Sequence, residues 1–138
     1  MDANKQDSEA KVVAIVDDDA SVRVSTRRLL RCSGLRAEAF GSAEEFLRSK
    51  FLGQTACLLL DVRMPGMDGL ELQRRMMEIG QRIPIVFLSA RASEEEEKRA
   101  LRAGAAGFLR KPVRKEALLS AIESVLEPRA NNNPSKEL

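Results

Sequence analysis

VVAIVDDDASVRVSTRRLLRCSG, residues 12–34, decides the fold. Val12 to Val16 form an apolar run, mostly β-branched, of the kind a strand shows when both faces are buried. Val22, Thr26, Leu29 and Leu30 then recur at i, i+4, i+7 and i+8, the spacing of an amphipathic helix, and Gly34 supplies its stop. Between strand and helix stand three acids, Asp17, Asp18 and Asp19. Together they make one βα unit with a carboxylate-rich turn.

The unit repeats along the chain. Arg36 to Phe40 alternates like a short strand, and Ser42 with Glu45 predicts a capping box for a helix running to Lys50, stopped near Gly53. Cys57 to Leu60 reads as a buried strand ending at Asp61, and Leu72, Met76 and Ile79 carry a helix to Gly80. Ile83 to Leu88 is the next strand. Ser93 and Glu96 then cap a helix that ends at Gly104. Ala106 to Leu109 is the last strand, and Val113, Ala117, Leu118, Ala121, Ile122 and Val125 stripe the last helix before Pro128. This alternation predicts an α/β fold, (βα)5, with a doubly wound parallel sheet and right-handed crossovers. The expected organisation is a flexible segment over 1–11, one domain over 12–127, and a disordered tail or linker start over 128–138.

Composition narrows the chemistry. The 138 residues hold 23 Lys+Arg against 21 Asp+Glu, two Cys, and no His, Trp or Tyr. Without His there is no His-based triad, no His-ligated zinc and no phosphohistidine donor on this chain. Two cysteines exclude a Cys₄ site, and Cys32 and Cys57, set in apolar-patterned segments, are expected as buried thiols rather than a disulfide. A formal charge of +2 does not argue for nucleic acid, and nothing after Pro128 resembles a helix-turn-helix, so no direct DNA contact is expected. No apolar run approaches the ~18 residues of a membrane span, and Met1 to Lys11 does not read as a signal peptide, so the expected location is the cytoplasm.

Ligands of parallel sheets bind beyond the carboxyl ends of the strands. Those positions hold Asp17, Asp18 and Asp19 after the first strand, Asp61 after the third, Ser89 after the fourth and Lys111–Pro112 after the fifth. Two carboxylates ~4 Å apart repel by about 4 kcal/mol at an effective dielectric near 20. Such a group calls for a hard divalent cation, and a sparse oxygen set suits Mg2+. A hydroxyl and an ammonium opposite that cation suit a phosphoryl group. Capping a helix N-terminus accounts for Asp19, but not for Asp61, Ser89 and Lys111 at three other strand ends.

The stretches IVDDDASVR (15–23), LLLDVRMPGMDGLEL (58–72), IPIVFLSA (83–90) and AGAAGFLRKP (103–112) resemble the receiver domain of bacterial response regulators, with wording nearest FixJ-like receivers. The resemblance implies a CheY-like, flavodoxin-like sheet in the order 2-1-3-4-5. It implies that Asp61 is the phosphoacceptor and that Mg2+ is held by Asp17, Asp18, Asp61 and the backbone carbonyl of Arg63. Ser89 Oγ, the Ala90 N–H and Lys111 would hold the phosphoryl oxygens, with a cis peptide at Lys111–Pro112 and Ser89 and Phe108 as the switch pair. The implied donor is a sensor histidine kinase or phosphotransfer protein, or a small acyl phosphate. The chain would act as a regulatory module that promotes its own phosphorylation and dephosphorylation, rather than as an enzyme.

The fourth helix departs from an apolar dimer face, since Glu94 to Glu97 fill its first turn, and a monomer or weak phosphorylation-dependent dimer is expected. The first helix is basic at Arg23, Arg27, Arg28 and Arg31, a face that could steer an acidic kinase surface or simply be solvated. Other functions fit less well. A haloacid-dehalogenase-type phosphatase echoes Asp17-x-Asp19 but needs a longer core and further acids. A flavin carrier on this fold lacks a phosphate loop after the first strand. A degenerate receiver, serving only for docking, would not keep every site position competent.

Overall fold

The computed structural model describes residues 11–126. Among them, strands β1 (Val12–Val16), β2 (Ala37–Phe40), β3 (Thr55–Leu60), β4 (Ile85–Ser89) and β5 (Gly107–Arg110) form one sheet ordered β2-β1-β3-β4-β5. Every pairing is parallel. Helices α1 (Ala20–Cys32), α2 (Ala43–Arg48), α3 (Gly69–Glu78), α4 (Glu94–Arg102) and α5 (Lys115–Leu126) alternate with the strands. The expected (βα)5 architecture and strand order are both present. The expectations for the terminal segments, 1–11 and 128–138, lie outside the described residues except at Lys11.

The β1 side chains explain why that strand is apolar throughout. Ala14 and Val16 pack with Leu58, Leu60 and Phe87 on one face, beneath Phe46 of α2 and Leu72 and Met76 of α3. Val13 and Ile15 pack with Leu59, Val86 and Leu88 on the other, beneath Leu30 of α1 and Leu118 and Ile122 of α5. Successive residues point to opposite faces, so covering both faces leaves no polar position. Each fully buried Val, Leu or Ile contributes about 1.5–3 kcal/mol of transfer free energy. The paired strands β1 and β3 are thus buried over nearly their whole length, and the acidic turns hang from their ends.

Several local expectations need correction. Cys57 is fully buried, and burial pushes its thiol up to about 12, but Cys32 is exposed. At ~100° per residue, Cys32 lies about 200° around α1 from the buried Leu30. Ile79 is 46% exposed because α3 ends at Glu78 and Ile79 is already its C-cap. Ala117 is exposed as well, one step around α5 from the buried Leu118. Ser42 caps α2 as expected, but Glu45 reaches the Gly41 N–H at 2.8 Å rather than closing a box on Ser42. That helix ends at Arg48 on a Ser49 cap, short of Lys50, and Gly53 lies in a separate 3-10 turn, Leu52–Gln54.

Candidate functional site

The carboxyl ends of β1, β3 and β5 converge on a cleft of about 390 Å³ lined by Asp17, Asp18, Asp61, Arg63, Ala90 and Lys111, among others. Asp61 follows β3 directly, and its backbone N–H donates to the Val16 carbonyl at 3.1 Å, which fixes it against the end of β1. The following loop closes on the glycine that opens α3. Gly69 N–H donates to the Val62 carbonyl at 2.9 Å, and a Cβ at Gly69 would overlap the Asp61 carbonyl oxygen. Sequence reasoning passed over this residue, although the Met-Asp-Gly run contained the signal.

Lys111 organises the acids. Its Nζ lies 2.8 Å from Asp17 Oδ2 and 3.6 Å from Asp61 Oδ2. One carboxylate oxygen each from Asp17, Asp18 and Asp61 lies within 4.8 Å of the others. Burial pushes the Asp61 carboxyl above its ordinary value, with the Lys111 charge opposing and the Asp17 charge reinforcing that shift. Burial also works against the Lys111 ammonium, but the hydrogen bond to Asp17 and the charges of Asp61 and Asp17 together raise its pKa. Asp19 also lines the cleft but caps α1, accepting from the Ser21 hydroxyl, Ser21 N–H and Val22 N–H. Those bonds, led by the Ser21 hydroxyl, hold its carboxyl below the usual value.

The three carboxylates form an all-oxygen donor set that fits a hard divalent cation such as Mg2+. Arg63 lines the same cleft.

The remaining sequence-predicted residues divide. Ala90 is exposed on the cleft wall. Ser89 is fully buried, and its Oγ accepts from Ala92 N–H at 3.2 Å and Arg91 N–H at 3.4 Å, so it faces its own loop rather than the cleft. Phe108 is half-buried, stacked on Phe87 at 5.6 Å between centroids, with the Arg110 guanidinium 5.4 Å over its ring. Arg110 also donates to the Ala92 carbonyl and pairs with Glu97 at 2.8 Å. The Lys111–Pro112 peptide is cis. In α1, Arg23 donates to the Asp17 carbonyl at 2.8 Å and Arg31 to the Ala37 carbonyl at 2.8 Å, so both are tied to strand ends. Sequence reasoning missed these ties and the partners of Arg110.

Residues 13–123 match the response regulator receiver domain. The chain belongs to this family. It is 43% identical over 118 residues to the response regulator protein TodT of Pseudomonas putida, covering 86% of this chain and 52% of TodT. The solved structure of the response regulator StyR is 44% identical with a TM-score of 0.80, over 93% of this chain and 65% of that one. The solved FixJ-N structure is 33% identical with a TM-score of 0.76, over 85% of this chain and 94% of that one. The receiver spans about half the length of the curated relatives it matches. As a receiver domain of a response regulator, it is a regulatory part of two-component signalling. No helix among its described residues is long and apolar enough to cross a membrane.

Proposed function

We propose that Asp61 is the phosphoacceptor of this receiver. The donor is the phosphohistidine of a sensor histidine kinase or phosphotransfer protein, or a small acyl phosphate. An Asp61 carboxylate oxygen bonds to phosphorus while the bond to the donor's imidazole nitrogen or acyl oxygen breaks, and the leaving atom keeps the electron pair. Asp17, Asp18, Asp61 and the Arg63 carbonyl would hold Mg2+, which when bound neutralises charge between acceptor and phosphoryl group.

The rest is the chain's own chemistry. The Lys111 ammonium shifts from the two carboxylates onto a phosphoryl oxygen, and the exposed Ala90 N–H takes another. Ser89 Oγ leaves the Arg91 and Ala92 amides to donate to the phosphoryl group, which opens room for Phe108 to turn inward. The phosphoryl group thus makes contacts in one state that it lacks in the other, and this difference shifts the population. The receiver promotes both the gain and the hydrolytic loss of its phosphoryl group. It works in the cytoplasm through protein contacts rather than nucleic acid, as a monomer or a weak dimer favoured by phosphorylation.

One observation carries this reading: a single ammonium, Lys111, lies within 3.6 Å of carboxylates from two different strand ends, on the wall of an open cleft. Acetyl phosphate with Mg2+ should add one phosphoryl group, seen by intact mass as a base-labile adduct, and Asp61→Asn should abolish it. An adduct that persists in Asp61→Asn, or wild type that gains none, overturns the assignment.

A further inference from the structure

Arg63 and Glu96 form an ion pair that phosphoryl transfer at Asp61 does not itself require. Arg63 Nη2 lies 2.8 Å from Glu96 Oε1, and that same oxygen accepts the Ser93 N–H at 2.9 Å. Arg63 stands two residues after Asp61 and lines its cleft, whereas Glu96 lies in the first turn of α4. The pair therefore ties the acceptor loop to α4. The Arg63 side chain is 51% exposed, so exchanging its partner buries no new charge. Next to it, Glu97 is held instead by Arg110, which supplies an internal control on the same helical turn.

We infer that Glu96 is a positioning residue for Arg63: it holds the guanidinium on α4, and a phosphoryl group arriving at Asp61 takes Arg63 in its place. This rests on the reading of Asp61 as the acceptor. A phosphoryl group presents up to two negative charges and three acceptor oxygens, and a planar guanidinium can engage two of these at once. Glu96 offers Arg63 one oxygen, already shared with the Ser93 amide. The phosphoryl group is the stronger partner. Once Arg63 leaves, the Ser93 cap and the Arg110–Glu97 pair still hold the first turn of α4, but its tie to the acceptor loop is gone. Phosphorylation is thereby read out as the release of α4 from β3.

The test compares phosphorylation by acetyl phosphate, timed by intact mass, in wild type, Glu96→Gln, Arg63→Ala, the double variant and Glu97→Gln. Glutamine at position 96 keeps the acceptor for the Ser93 N–H while removing the charge that holds Arg63. Glu96→Gln should speed phosphorylation by about threefold, the scale of one exposed ion pair, and lower the melting temperature by no more than a few degrees, the cost of that same pair. In the Arg63→Ala background the same substitution should change nothing, and Glu97→Gln should match wild type. A wild-type rate in Glu96→Gln overturns the inference. So does an acceleration of equal size without Arg63, or one reproduced by Glu97→Gln, since either would reflect general charge alone. Wild type that takes no phosphoryl group fells the acceptor reading, and this inference with it.

Discussion

A methyl group at position 69 would collide with the Asp61 carbonyl oxygen and crowd the Val62 backbone. Backbone, unlike the end of a flexible side chain, cannot swing aside. Gly69→Ala should therefore cost about 1–3 kcal/mol of stability, the range of an overpacked site, and slow acceptance at Asp61 by displacing it. Urea unfolding and the acetyl phosphate rate check both halves, and a variant as stable as wild type would refute the close-contact argument. Individual residues were legible in the sequence where position alone fixes them. Asp17, Asp61 and Lys111 stand at strand ends, and parallel topology brings such ends together. Ser89 is different, because the direction of its hydroxyl depends on two amides of the loop that follows. The Arg63–Glu96 pair spans 33 residues and depends on how α4 is set against β3, which no local pattern encodes.

At the scale of elements, α4 shows both what a sequence pattern can deliver and where it stops. Its capping box is complete: Ser93 accepts from Glu96 N–H at 3.0 Å, and Glu96 accepts from Ser93 N–H at 2.9 Å. Ser93→Ala should cost about 1 kcal/mol in a thermal or urea melt. A loss near zero would mean that the Arg110–Glu97 pair, not the cap, holds this turn. The four glutamates of the first turn read only as a departure from an apolar dimer face, and nothing in that run shows that two of them are bound by arginines from β5 and from the loop after β3. Helix ends were less legible than helices. Apolar spacing ran through Ile79, but the chain leaves the helix at Glu78, and a periodic pattern carries no record of where the supporting sheet ends. The edge strands gave the faintest signals, with only Ala37 and Phe40 buried in β2 and no buried residue in β5.

For the whole molecule, the crowded acids set a dependence of stability on pH. The Asp61 carboxyl lies above its ordinary value of 3.8, so between 3.8 and the raised value the folded chain holds more protons than the unfolded one. Stability therefore falls as pH rises through that window, and the full penalty is present above it. Asp61→Asn removes the penalty, so without divalent cations it should melt higher than wild type at neutral pH. The gap should close below pH ~4. Added Mg2+ should narrow the gap at neutral pH by stabilising wild type more. Calorimetry across pH decides this, and a lower melting temperature for Asp61→Asn at neutral pH would contradict it. The bond from Lys111 to Asp17 spans 94 positions of the chain. Ribosomes deliver the amino end first, so a growing polypeptide exposes its acids well before the ammonium that must join them. No nascent fragment ending before β5 contains a finished acceptor, and competence to be modified coincides with completion of the sheet.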